Sequence, residues 1–393
     1  MDKSEILKQA QKLKQINKKY KTDFKLSDTR ISFYCMNKNT EVFEILKSIT
    51  FPKLENLDLR NNQLEAIEPL TEINLTQLEI LYLSNNNLTN LDPLINCKLI
   101  ALKELCLSGN KITSLNFLSK CNFPSLQILN ISNNNLTSIT KENFESFKNL
   151  ENLNLSNNQI KSLENFNIPD NKIKFLYLSQ NNIIKLAPLN FPQLIELYLI
   201  SDQLENIDSL SVSNLPNLKI LWLDENKINN IESLVKCNLI ELKELYLSNN
   251  LIENIEPLQE SKFNNLEVLY LKNNLIANID SLINYKFEKL KSLSLDNNKI
   301  ENVDVFSNCN FCSLQIISLN NNLIKNIDCF LLSKLCLQLT NINLRFNQIE
   351  NIKVLLQVKY DKLKSFDIRN NKIDKKVNKE IIQNLKKLYK ILI

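Results

Sequence analysis

Nine cysteines and no histidine leave this chain few ways to do chemistry. The usual proton shuttle and commonest metal ligand is missing. General acid–base work would fall to carboxylates or a thiol, and none of these sits in a recognisable catalytic constellation. Cys309 and Cys312 lie close together with no histidine beside them, a poor start for a metal site. Loops that cradle phosphates need glycines, and the chain has one, Gly109. We therefore expect no catalytic residue, no metal and no cofactor.

What remains is the chemistry of recognition. Tyr177, Tyr198, Trp222, Tyr246 and Tyr270 follow one another at intervals of 21, 24, 24 and 24 residues. Only ten tyrosines and one tryptophan occur in the chain, so chance clustering is a poor explanation. Phe175, Ile220 and Val268 stand two residues before three of them. Tyr and Trp are the side chains most often found at interface hot spots, each costing about 2 kcal/mol or more on truncation. Three of the four arginines, Arg60, Arg345 and Arg369, also share one column and could clamp acidic groups of a partner. Near the aromatic residues, Lys174, Lys219, Lys243 and Lys272 stand against Glu196, Asp224, Glu225, Glu244 and Glu267. That balance gives no phosphate funnel, so a protein or peptide is expected as partner and nucleic acid is not. The competing reading is cross-strand aromatic packing that only stabilises a sheet.

The even spacing comes from a repeat. The pattern L-x-x-L-x-L-x-x-N-x-L/I starts at residues 54, 78, 102, 126, 150, 173, 194, 218, 242, 266, 290, 314, 339 and 363. The last two leucines of L-x-x-L-x-L have period two and face inward from a short strand, so the residue between them faces out. The asparagine that follows can donate and accept between buried backbones; at Asp202 a carboxylate takes its place, in the short 21-residue repeat, and a local irregularity is expected. The residue before it is usually Asn, and once Gly109, which suggests left-handed backbone. The second half, as in Ile255-Glu256-Pro257-Leu258, suits the first turn of a short helix or 3-10 segment. Phe51, Phe123, Phe147, Phe191, Phe263, Phe287 and Phe311 recur as a core spine, and Cys97, Cys121, Cys237 and Cys309 as small buried filler.

These residues resemble the leucine-rich repeat family over about residues 51–374. The resemblance implies an α/β solenoid: a curved horseshoe of about 14 repeats with a parallel concave sheet, short helices or 3-10 turns on the convex side, and helical caps. Its I-x-x-I-E/D-P-L half is similar to two subclasses. One is the SDS22-like group, intracellular proteins that dock on partners such as a phosphatase catalytic subunit. The other is the internalin type, secreted or wall-anchored and receptor-binding. Both run nearer 22 residues per unit, so the 24 here departs from each.

The expected organisation is a helical cap and degenerate first repeat over 1–50, the array over 51–374, and a capping helix over 375–393. In the first cap Ile6, Ala10, Leu13, Ile16 and Tyr20 share a helical face, and Phe33, Cys35, Phe43 and Leu46 keep the phase of a first coil. In the last, Val377, Ile381, Leu385, Leu388 and Leu392 form the stripe. A start without an apolar run of signal-peptide length, and scattered cysteines without a compact framework, point to a cytoplasmic protein with free thiols. A nuclear location is admissible on the same grounds. We expect a non-catalytic, monomeric interaction module without membrane insertion, centred on the aromatic stripe. A regulatory subunit of the SDS22-like kind and a secreted internalin-like adhesin are the alternatives.

Overall fold

A computed structural model describes residues 3–35, 41–168, 170–309, 311–329, 338–357, 362–388 and 391–393. The chain divides into two compact units, Met1–Asn182 and Ile183–Ile393. Both are wound from the same coil, and the fold is an α/β solenoid. Each coil contributes a three-residue strand whose middle side chain is buried. In the first unit the strands run from Arg30–Ser32 to Phe175–Tyr177, each paired in parallel with the next, as in Leu81↔Leu105↔Leu129. In the second they run from Glu196–Tyr198 to Ile391–Leu392, as in Leu197↔Leu221↔Leu245↔Leu269. These leucines are 0% exposed, so the repeat period brings like residues together in one apolar core.

Past each strand the backbone turns through the left-handed region. Fourteen positions, one in each coil from Asn61 to Asn370 and each just before the ladder residue, hold φ between 53° and 67°. Asn fills most of them because its short amide tolerates this conformation. Gln180, Ser201, Glu225 and Phe346 adopt it without that advantage. Gly109 does so where a Cβ would come within 2.2 Å of Asn85 Oδ1.

The next residue is the ladder asparagine. Asn250 Nδ2 donates to Leu223 O at 3.0 Å and Leu247 O at 3.1 Å, while its Oδ1 accepts from Ile228 N at 3.0 Å. Asn86, Asn110, Asn134 and Asn158 in the first unit repeat the arrangement. One amide thus serves two carbonyls, each shared with the neighbouring ladder asparagine, and one buried N–H, so consecutive coils are tied together. Asp202 sits at this place, 6% exposed, and a carboxylate has no proton for the carbonyls that the amides serve.

A second asparagine column, which the repeat pattern did not single out, opens the other half of the coil. The Oδ1 atoms of Asn230, Asn254, Asn278 and Asn302 accept from the N–H two residues on, at 2.7–2.8 Å, and start the helical turn. Most of these turns are 3-10, such as Glu256–Glu260 with Pro257 in its first turn. The coil that starts at residue 173 is short, and no helical turn is assigned over 183–193. Instead Lys185 and Asn190 form isolated parallel bridges to Asn206 and Asn214. The irregularity expected at Asp202 thus lies in the coil before it, since Asp202 belongs to the coil that starts at residue 194, and the division between units, after Asn182, falls in the short coil.

The phenylalanine spine is buried throughout, with Phe123 and Phe147 stacked at 6.1 Å. Cys97, Cys121 and Cys237 are buried thiols, whereas Cys309 is half-buried and Cys312 exposed. Burial pushes the Cys121 and Cys237 thiols up to about 12, so they are apolar filler.

The ends differ in detail from the expectation. Helix α1 (Lys3–Tyr20) buries Leu13 and leaves Ile6 42% exposed; the side chain of Tyr20 lies outside the described residues. Phe33 is buried, and helix α2 (Glu41–Ser48) buries Phe43 and Leu46. Cys35, expected to face inward, is exposed with φ 56°, because it occupies the left-handed place that Asn61 takes one coil later. A third short helix, α3 (Ser233–Lys236), replaces the 3-10 turn in one coil. The last helix, α4 (Lys379–Leu388), buries Leu385. Val377 lies outside it, 79% exposed, because Asp374 Oδ1 accepts from the N–H of Lys376 and Val377 and starts a turn there. Leu392 belongs to the final strand, and the side chain of Leu388 lies outside the described residues.

Candidate functional site

On the solvent side of the sheet each strand shows its first and third residues. In the second unit the third residues are Tyr198, Trp222, Tyr246 and Tyr270, in register on neighbouring strands. Parallel strands lie about 4.8 Å apart, which is the reach of ring on ring. Trp222 lies 5.7 Å from Tyr198, tilted by 31°, and 4.2 Å from Tyr246, stacked at 16°. Tyr270 meets Tyr246 edge-on at 5.3 Å. All four are half-buried. The column faces outward as the strand period requires, and the rings shield one another, so the cross-strand packing weighed against binding is also present.

The polar ends of the rings are held by carboxylates of their own strands. Tyr198 Oη donates to Glu196 Oε2 at 2.9 Å, Tyr246 Oη to Glu244 Oε2 at 2.6 Å, and Trp222 Nε1 to Asp224 Oδ2 at 2.8 Å. Asp224 Oδ1 also accepts Ser248 N at 2.6 Å. Burial, and then the bond to Glu244, push the Tyr246 phenol far above its ordinary value. Burial raises the Asp224 carboxyl as well, against the lowering effect of Trp222. The sequence reading counted these acids only as charges. Their signal was the two-residue step, which puts acid and ring on one face of one strand.

Ile220 and Val268 occupy the first position of their strands, half-buried, on either side of Glu244 in the register Ile220↔Glu244↔Val268. Phe175 and Tyr177 stand half-buried on the same face of their strand in the first unit, opposite Asn152 and Asn154. The five aromatic residues are thus four in contact in one unit and Tyr177 in the other.

The arginines are engaged at home. Arg369 Nε and Nη2 clamp the two oxygens of Asp367 at 3.0 and 2.7 Å, and Arg60 holds Asp58 in the same way at 2.9 and 2.7 Å. Arg60 also lies 4.7 Å from the centre of the Tyr82 ring. Arg345 approaches Asp367 at 3.7 Å and lies 5.0 Å from the Phe346 ring. The edge that Arg369 would offer to a partner carboxylate is filled by Asp367, so Arg345 has the freer guanidinium. Burial alone would raise the Asp367 carboxyl; the Arg369 bonds and the two guanidinium charges overcome it and hold the group below the usual range. Among the described residues no group of three or more Cys, Asp or Glu has metal-binding geometry, and no helix is long and apolar enough to cross a membrane.

The leucine-rich repeat model matches residues 52–112 and 124–186, and the model for two such copies matches 100–146, 216–260, 240–284 and 264–308. The chain belongs to the leucine-rich repeat family. No curated protein sequence matches it. Among solved structures it is similar to a leucine-rich repeat protein of Leptospira interrogans, at 22% identity and a TM-score of 0.74, covering 94% of this chain and 96% of that one. An internalin, inlF, of Listeria monocytogenes is similar at 23% identity and a TM-score of 0.62, with the same coverage of 94% and 96%. A chain of the LRIM1/APL1C complex is similar at 23% identity and a TM-score of 0.63, covering 88% and 64%. At these identities the likeness is one of fold. That fold typically serves protein–protein interaction.

Proposed function

We propose that the chain is a non-catalytic module that binds a protein or peptide on the solvent face of its sheet. Contacts centre on Tyr198, Trp222, Tyr246 and Tyr270, with Ile220 and Val268 beside them; Tyr177 and Phe175 offer contacts of the same kind on the first unit. Arg345 provides an outer contact for acidic groups, while Arg369 is held by Asp367. The observation that carries this reading is the stack of four half-exposed rings, three of whose polar ends are fixed by Glu196, Asp224 and Glu244. Packing alone would explain rings in contact; a stack already held in place also has little side-chain freedom left to lose on binding. Such a module serves as a scaffold or as the regulatory subunit of a catalytic partner. The eight described cysteines are free thiols, which supports a cytoplasmic protein over a secreted adhesin.

Affinity capture with wild type and with the triple variant Tyr198→Ala/Trp222→Ala/Tyr246→Ala tests the face. At about 2 kcal/mol per hot-spot ring, the variant should lose more than ~100-fold in affinity for any partner held there. A folded variant that keeps every partner refutes the site. Recovery of the chain from the medium, with glycan on Asn-x-Ser sequences such as Asn130-Ile131-Ser132, would favour the adhesin.

A further inference from the structure

The acids beside the aromatic stack have a second consequence. Glu196, Ile220 and Glu244 are consecutive in one column of the sheet, by the register Glu196↔Ile220↔Glu244. Two strand spacings separate the glutamates, about 10 Å. Each accepts its phenol proton on Oε2, which leaves the Oε1 side of each carboxylate to a ligand. Among the described residues neither glutamate, nor Asp224, is within ion-pair distance of a lysine or arginine. Two nearby lysines are employed elsewhere: Lys291 and Lys243 both approach Glu267, at 2.5 and 3.9 Å.

The rings exclude one way of binding a cation. Trp222 has Tyr198 on one side and Tyr246 on the other, so its faces are taken and no open π surface is presented. What the stack offers a partner is a ridge of ring edges, apolar and rigid, with carboxylates along its flank. Positive charge is therefore drawn to the glutamates, and apolar surface to the ridge and Ile220.

We propose that this face takes an amphipathic helix of a partner protein that carries basic side chains at positions i and i+7 and an apolar side chain between them. Residues seven apart on a helix lie about 10.5 Å from each other along one face, which matches the separation of Glu196 and Glu244. The two cations pair with these glutamates, and the side chain at i+3 or i+4 meets Ile220 and the edge of Trp222. The proposal rests on the reading of this face as a binding surface, and it fixes the charge and spacing of what is bound.

The test uses the full chain and a synthetic Ala/Gln-based helical peptide with Arg at i and i+7 and Leu at i+4. Binding is followed by calorimetry and by the emission of Trp222. The control peptides replace both arginines by citrulline, or move the second arginine to i+5. The arginine pair at i+7 should bind at least about tenfold more tightly than either control, with an affinity that falls as salt rises. Glu196→Gln/Glu244→Gln keeps an acceptor for each phenol, so the stack stays in place and its near-ultraviolet dichroism is unchanged. That variant should bring the arginine peptide down to the level of the citrulline one. Equal binding of the arginine and citrulline peptides by wild type would overturn the proposal whatever the variant does. So would undiminished arginine-peptide binding by the glutamine variant. A captured partner lost by the triple aromatic variant but kept by the glutamine variant would retain the face and remove the basic helix. One kept by both variants would remove the face itself.

Discussion

At Asp367 a single carboxylate is buried beside two guanidinium groups, and its titration is readable in stability. Its folded value lies below the unfolded one of about 3.9, so the stabilisation is complete above that value and is lost as pH falls through the folded one. Asp367→Asn should cost about 1 kcal/mol near neutral pH, the clamp being partly exposed, and the deficit should shrink below about pH 4. Thermal unfolding of both proteins between pH 7 and 2.5 checks this; a deficit independent of pH would show that the charge has no role. Asp202 allows the opposite experiment. Asp202→Asn restores an amide donor to the one ladder place that lacks it, and a gain of about 1 kcal/mol is expected. Chemical denaturation measures it, and an unchanged midpoint would mean the local backbone has already adapted to the carboxylate. The sequence disclosed Asp202 because thirteen asparagines surround one exception. It did not disclose that Asp367 occupies Arg369, because a side chain can reach a partner or its own strand with the same spacing.

Within the coil, the legible features were those that recur. Inward leucines, the ladder asparagines, the left-handed turn and the phenylalanine spine each appear in many copies, so one physical requirement is stated many times over. Features set by a single local contact were not legible. The turn at Asp374 that leaves Val377 exposed is one; the left-handed Cys35, which looked like a core residue, is another. The aromatic column was legible as a column, but the closeness of Trp222 and Tyr246 was not, since ring orientation depends on which neighbour holds the indole N–H. The indole should accordingly emit between the wavelengths of free and fully buried tryptophan, with partial quenching. The cysteine column gives a sharper reading. Brief alkylation of the native protein, followed by peptide mass spectrometry, should modify Cys312 and Cys35 and leave Cys97, Cys121 and Cys237 untouched until denaturant is added. Early labelling of Cys121 or Cys237 would mean that the coil interior opens readily.

Over a whole unit, stability should be carried from coil to coil, since each strand pairs only with its neighbours. The second unit permits a direct comparison of position at constant chemistry. Asn274 Nδ2 donates to Leu247 O at 2.9 Å and Leu271 O at 3.1 Å, and its Oδ1 accepts from Ile252 N at 3.0 Å. Near the end of the array Asn371 makes the equivalent bonds to Leu344 O and Ile368 O, both at 2.8 Å, and from Ile349 N at 3.0 Å. Alanine at 274 leaves Ile252 N without its acceptor, while Leu247 O and Leu271 O keep the amides of Asn250 and Asn298; alanine at 371 leaves Ile349 N and also Ile368 O, at about 1–3 kcal/mol for each group that water cannot reach. Asn274 is 5% exposed and flanked by coils on both sides, so Asn274→Ala should weaken two interfaces inside the unit. Asn371 is only half-buried, and water can replace part of what its amide supplied. Hydrogen exchange should therefore show protection lost on both sides of Asn274 in the first variant, and only the final coil fraying in the second. Uniform loss of protection across Ile183–Ile393 in both variants would mean that the unit melts as one block, and that nearest-neighbour pairing does not set its cooperativity.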